Sequence, residues 1–187
     1  MNNNDARFLT RAELEEQGED RELLDVRDFH HRFKLLAFDR PVHLTKRKLK
    51  ERVECMQEEL EEFWQAAQQQ DLVKIFDALI DLVYFAKGTA VMLGLPWSKG
   101  WDEVQRANME KVPGMTQRGH AVDVTKPPGW APPDLEMVLH HAGYRPIDWG
   151  SSYRLQIDEK KCYDDPKVIR DQVVQSLRMP EDMNDAS

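Results

Sequence analysis

Two short stretches hold the side chains best suited to chemistry, Glu58-Glu59-Leu60-Glu61-Glu62 and Asp77-Ala78-Leu79-Ile80-Asp81. Residues three or four apart on a helix share a face, so Glu59 and Glu62, with Glu58 beside them, can offer carboxylates to one point. Asp77 and Asp81 lie about 40° apart around a helix and can offer two more from an antiparallel neighbour. An all-oxygen set of this kind suits a hard divalent cation, magnesium or manganese, with water and substrate phosphate completing the shell. For the glutamates the competing reading is a solvated acidic face. For the aspartates it is a pair of salt bridges, with Lys74 in reach of Asp77. The segment around them favours the metal. From Leu72 to Phe85 eleven of fourteen residues are apolar, a helix so apolar expects burial, and buried aspartates need a partner.

A second pair stands near the end of a later helix. Asn108 and Lys111 are one turn apart and combine an amide with an ammonium, groups that suit a phosphate chain or a nucleotide. An ordinary helix end with a favourable lysine accounts for them equally well.

The elements that must position these residues read as helices. Apolar residues at Leu24, Phe29, Phe33 and Leu36 give an amphipathic first helix between Leu23 and Leu36, broken by Asp39-Arg40-Pro41. Thr45 can cap a second helix running to about Gln69, with Val53, Met56, Leu60, Phe63, Trp64 and Ala67 as its apolar stripe. Asp71 can cap the third, which stops at Gly94-Leu95-Pro96. A fourth fits Ser98 to about Met109. Four helices with short links predict an all-α bundle.

Beyond Lys111 the texture changes to an irregular, Pro/Gly-rich extension. Residues 112–133 read as an extended loop containing Lys126-Pro127-Pro128-Gly129-Trp130, and 134–143 as a short helix. Tyr153, Leu155 and Ile157 alternate like a strand, and Asp165-Pro166 opens a last helix. The expected organisation is a flexible, polar segment at 1–22, a catalytic helical bundle at 23–111, a loop and short helix completing the domain at 112–144, and an extension at 145–187 to which the sequence assigns no role.

With 187 residues the chain is long enough for one domain with a real core. A net charge of -8 and a mean hydropathy of -0.68 argue against a nucleic-acid polymer or a membrane as partner. The polar start, MNNNDARF, shows no signal-peptide pattern, and Cys55 and Cys162 show no metal spacing, so reduced thiols and a cytoplasmic location are expected. Walker A, Gly-x-Gly-x-x-Gly, Gly-x-Ser-x-Gly and His-Glu-x-x-His patterns are absent, and no glutamate is followed by histidine at di-iron spacing.

Taken together these motifs resemble the MazG-like, all-α nucleoside triphosphate pyrophosphohydrolase superfamily, in particular its phosphoribosyl-ATP pyrophosphohydrolase-like branch. Gln57-Glu58-Glu59-Leu60-Glu61-Glu62-Phe63 matches the superfamily's Glu-x-x-Glu helix through Glu59 and Glu62. The segment from Asp77 to Ala90 resembles the branch's Asp-Ala-Leu-x-Asp, Tyr and Gly-Thr-Ala pattern. Phe29-His30-His31-Arg32-Phe33, the helix ending at Lys111 and the Lys126–Trp130 stretch also fit. One position departs: Ala78 stands where the second motif, Glu-x-x-Asp, has its first carboxylate, and Asp77 is the residue able to supply it. The resemblance implies a four-helix MazG-like bundle, hydrolysis between the α- and β-phosphates of a (deoxy)nucleoside triphosphate, and a homodimer or dimer of dimers. It implies Mg²⁺, with Mn²⁺ as substitute, on Glu59, Glu62, Asp77 and Asp81, with Glu58 orienting or deprotonating the attacking water and Glu59 beside it. Lys111 and Asn108 would hold phosphate and sugar.

His30 and Phe33, one turn apart, are candidates for the base, against a core aromatic and a surface histidine. The basic run from Lys46 to Arg52 reads as a solvated face or an attractor of anionic substrate. Trp130 and its prolines suit a lid or a subunit contact. Two other functions remain open on the sequence: a non-enzymatic helical interaction module derived from this fold, favoured by Ala78, and hydrolysis of phosphoribosyl-ATP itself, disfavoured by Ala78 and the long C-terminal part.

Overall fold

A computed structural model of the chain describes residues 9–114 and 123–144. In chain order the elements are α1 (Arg11–Glu16), α2 (Arg21–Arg32), α3 (Lys46–Gln68), α4 (Leu72–Leu93), α5 (Trp97–Met109), β1 (Val112–Gly114), β2 (Asp123–Thr125) and α6 (Leu135–His141). The described chain is mostly helical, an all-α fold with one small two-stranded sheet. The strand expected at 153–157, the helix expected from Asp165 and Cys162 lie outside the described residues.

Local chemistry sets most helix ends. The side chains of Thr45 and Asp71 accept from the backbone N–H three residues on, capping α3 and α4 as the sequence suggests, and Asp134 caps α6 in the same way. Gly94, at φ +63, ends α4. Three boundaries differ from expectation. Thr10 and Glu13 form a reciprocal capping box, and Arg11 pairs with Asp25 and Asp28 of α2, so α1 forms inside the segment expected to be flexible. The first long helix ends at Arg32 rather than Leu36, because Lys34 turns left-handed at φ +55. Within the expected loop, Val112–Gly114 pairs antiparallel with Asp123–Thr125.

Helices α3 and α4 form an αα-hairpin through Gln69-Gln70-Asp71, with Gln70 at φ +54. Arg52 latches their register: its guanidinium donates to the Phe85 carbonyl at 2.9 Å and the Thr89 hydroxyl at 3.0 Å, and lies over the Phe85 ring. That interaction takes Arg52 out of the basic run expected to be solvated. Helix α2 packs on the C-terminal half of α4. There Lys87, buried, is neutralised by Asp20 at 2.6 Å and Glu22 at 2.7 Å, and Arg27 bonds to the Phe38 carbonyl and pairs with Asp39.

The core sits at this end of the hairpin. Leu23 and Val26 of α2 meet Ala90 and Val91 of α4 and Ala37, flanked by Leu95 and Trp97; Phe38, Leu44 and Met92 form an adjoining cluster. The segment after α2 runs past the end of α4, where Phe38 and Val42 donate to the Val91 and Leu93 carbonyls. It thereby satisfies acceptors that a helix end leaves open. The chain then bends by 120° into α5, which packs against α6.

The apolar stripe of α3 and the nearly all-apolar first half of α4 are not covered within one chain. Trp64 is 57% exposed, Phe76 65% and Val73 79%. So apolar a third helix is expected to need a partner surface, and α2 reaches only its C-terminal half, leaving the first half exposed. Among the described residues no single helix is long and apolar enough to cross a membrane.

At Gly94 a Cβ would lie 2.0 Å from the Arg40 carbonyl oxygen, on a backbone that already favours glycine. Gly94→Ala should therefore lower the free energy of unfolding by about 2 kcal/mol or more, read from the urea midpoint.

Candidate active site

The hairpin brings the carboxylates together by register. Counting about seven residues, two turns, from the Arg52 latch toward the hairpin tip puts Glu59 of α3 opposite the Ala78–Leu82 stretch of α4. The electrostatics agree. The Glu59 carboxyl is held above the usual carboxylate range, first by desolvation and then by the charges of Glu62, Asp81, Glu58 and Asp77. Five carboxylates from two helices thus share one field. None of them forms an ion pair with a cation among the described residues, and the Lys74 backbone N–H, rather than its ammonium, is engaged, by Asp71. The salt-bridge reading of the aspartates is not realised among the described residues.

These groups do not form a closed cage: no three or more Asp, Glu, His or Cys side chains among the described residues converge as a ready metal shell. They line successive turns on an open face, with Glu58, Glu62, Asp77 and Asp81 exposed and Glu59 half-buried. Magnesium tolerates that arrangement, since it keeps several waters and takes one or two carboxylates with substrate phosphates. Ala78 is buried, 3% exposed. Asp77, one position earlier, is exposed, and its charge reaches Glu59.

The other expected site residues are dispersed. Phe33, at the C-terminal end of α2, is exposed and packs on Phe29 with ring centroids 4.6 Å apart. His30 is buried, its Nδ1 2.6 Å from the Leu36 carbonyl, and desolvation with the nearby Arg52 charge lowers its pKa. Nδ1 must therefore carry the proton and donate to that carbonyl, which suits a residue tying down the chain after α2. Asn108 and Lys111 bond to each other, Nζ to Oδ1 at 2.7 Å. Among the described residues neither is paired with a carboxylate of α3 or α4, and α5, which carries Asn108, follows α4 after a 120° bend. Trp130 donates from its indole to the Ala107 carbonyl at 2.7 Å under the Lys126 ammonium, bracing α5.

Sequence reasoning passed over Arg52 and Tyr84. Arg52 was hidden in a basic run, although its place seven residues before Glu59 puts both on one face of α3. Tyr84 meets Phe29 edge-on at 5.7 Å, and its spacing from Asp77 and Asp81 was the available signal.

Residues 26–108 match the phosphoribosyl-ATP pyrophosphohydrolase family. The match takes in most of α2, all of α3 and α4 and nearly all of α5, with all five carboxylates, and leaves out α1, the β-hairpin and α6. This helical segment is a domain of the MazG-like, all-α NTP pyrophosphohydrolase superfamily, and pyrophosphohydrolase chemistry on a nucleotide is the activity that goes with it. No curated protein matches the chain significantly.

Ionising Glu59 beside four other carboxylates opposes folding. Its folded-state pKa is raised, so stability is lost as the pH rises through that pKa and regained below it. Glu59→Gln should raise the melting temperature at neutral pH in chelator, and the difference from the native chain should vanish toward pH 3.

Proposed function

We propose that the chain hydrolyses a (deoxy)nucleoside triphosphate between its α- and β-phosphates, releasing the nucleoside monophosphate and pyrophosphate. The reaction would depend on Mg²⁺, with Mn²⁺ as substitute, and would serve housekeeping of the nucleotide pool in the cytoplasm. One observation carries this reading. Glu58, Glu62, Asp77 and Asp81 all act on Glu59 across the hairpin, and no cation among the described residues is paired with any of the five.

Charge and donor chemistry both fit a hard divalent ion. Glu59, Glu62, Asp77 and Asp81 would hold it. When bound, Mg²⁺ neutralises the triphosphate and lowers the pKa of a coordinated water. Glu58, exposed beside the ligand pair, would orient the attacking water and take its proton, with Glu59 the second candidate for that task. Phe33 would contact the base, and His30 would keep that end of α2 in place from beneath.

A homodimer, alone or as a dimer of dimers, fits the uncovered hairpin. Leu60, Trp64, Leu72, Val73, Phe76 and Ile80 are too exposed and too contiguous for a lone chain in water. Asn108 and Lys111, at the end of α5, would meet phosphate and sugar.

Pyrophosphate release from a panel of NTPs and dNTPs, with and without Mg²⁺, tests the reaction. Asp81→Asn should lower kcat by about a hundredfold or more, as removal of a group acting on transition-state charge does. Unchanged turnover in Asp81→Asn, or turnover indifferent to Mg²⁺, would refute it. If no nucleotide is hydrolysed and calorimetry detects no Mg²⁺ binding, the fold serves as an interaction module. Assembly has its own check: Phe76→Asp should move the sedimentation coefficient from that of a dimer or tetramer to that of a monomer.

A further inference from the structure

The strip of α4 that carries the aspartates continues into an aromatic surface. Tyr84 follows Asp77 by seven residues and Asp81 by three, which sets it within about 20° of the first and 60° of the second around the helix. It stands one turn, about 5 Å, beyond Asp81. Phe29 of α2 meets the Tyr84 ring at 89°, Phe33 packs on Phe29 at 51°, and the Arg32 guanidinium lies 5.7 Å from the Phe33 ring. These rings are not core. Phe29 is 40% exposed, Phe33 55% and Tyr84 36%, while the buried cluster of α2 and α4 lies on Leu23, Val26, Ala90 and Val91. Helix α4 therefore has glutamates on one flank, from α3, and open aromatic faces on the other, from α2.

We infer that Tyr84 and Phe29, with Phe33, form the seat of the nucleobase. This rests on the pyrophosphohydrolase reading and adds to it the residues that select the substrate. A nucleotide laid along α4 places its phosphates at Asp77 and Asp81 and its base one turn further on, against the rings. Aromatic rings hold any base by its face and leave its edge unread. The substrate class is accordingly nucleoside triphosphates with little discrimination among bases, their kcat/KM values falling within about tenfold of one another.

The test compares substrate with a ligand that has no base. In Tyr84→Leu and Phe29→Leu, KM for a dNTP should rise about tenfold, the loss expected when one stacking partner is removed. The Ki of inorganic tripolyphosphate as a competitive inhibitor should stay within twofold, and Tyr84→Phe should retain the native KM. If KM and Ki rise together, if neither moves, or if Tyr84→Leu shifts the sedimentation coefficient, the rings serve packing or assembly and the inference fails. Failure of the pyrophosphohydrolase reading looks different: the native chain then turns over no nucleotide at all.

Discussion

Repulsion among like charges is the constraint around which this fold is built. The packing of α3 on α4 brings the charges of Glu58, Glu62, Asp77 and Asp81 to bear on Glu59, whose ionised form the fold disfavours. Such an arrangement persists only because other interactions over-determine it. Arg52 supplies one of them, tying α3 to the Phe85 carbonyl and the Thr89 hydroxyl and thereby fixing which acids face which. The small contact residues Ala66 and Ala78 supply another by letting the two helices approach closely.

Stability and chemistry are placed at opposite ends of the hairpin. At the C-terminal end of α4 the charges are matched and the apolar side chains covered. Lys87 is held by Asp20 and Glu22, Arg27 by Asp39 and the Phe38 carbonyl, and Gly94 lets residues 38–42 run against the helix end. Toward the tip the acids are unmatched and the apolar side chains open. An open, acidic and partly apolar surface is costly for a lone chain, and its components suit ligands that bring what is missing: cations for the carboxylates and apolar area for the helices.

The elements outside the matched segment act as braces. Glu19, just before α2, accepts from the Ser98 backbone N–H and hydroxyl and so holds the start of α5. Arg11 of α1 pairs with Asp25 and Asp28, and Trp130 donates to the Ala107 carbonyl near the other end of α5. The Glu19 and Trp130 contacts hold the two ends of α5, and the Arg11 pairs hold α1 on α2.

What the sequence determined by itself was local. The caps at Thr45 and Asp71 and the glycine stop at Gly94 depend on hydrogen bonds and backbone preferences spanning a few residues, and they stand where the spacing placed them. The shared faces of Glu59 with Glu62 and of Asp77 with Asp81 follow from helical periodicity alone. Tertiary structure decided everything that depends on which helix meets which. It buried His30 and left Phe33 open, withdrew Arg52 from the basic run, and paired Lys111 with Asn108. It also decided Asp77. Periodicity could not say whether this residue or position 78 faces the helix contact; the packing buries Ala78 and leaves the aspartate outside, among the other acids. Hydrophobic pattern marks which side chains can be buried, whereas only the arrangement of the other helices fixes how much of that surface they reach. That is why the first half of α4, the most apolar stretch of the sequence, stands exposed.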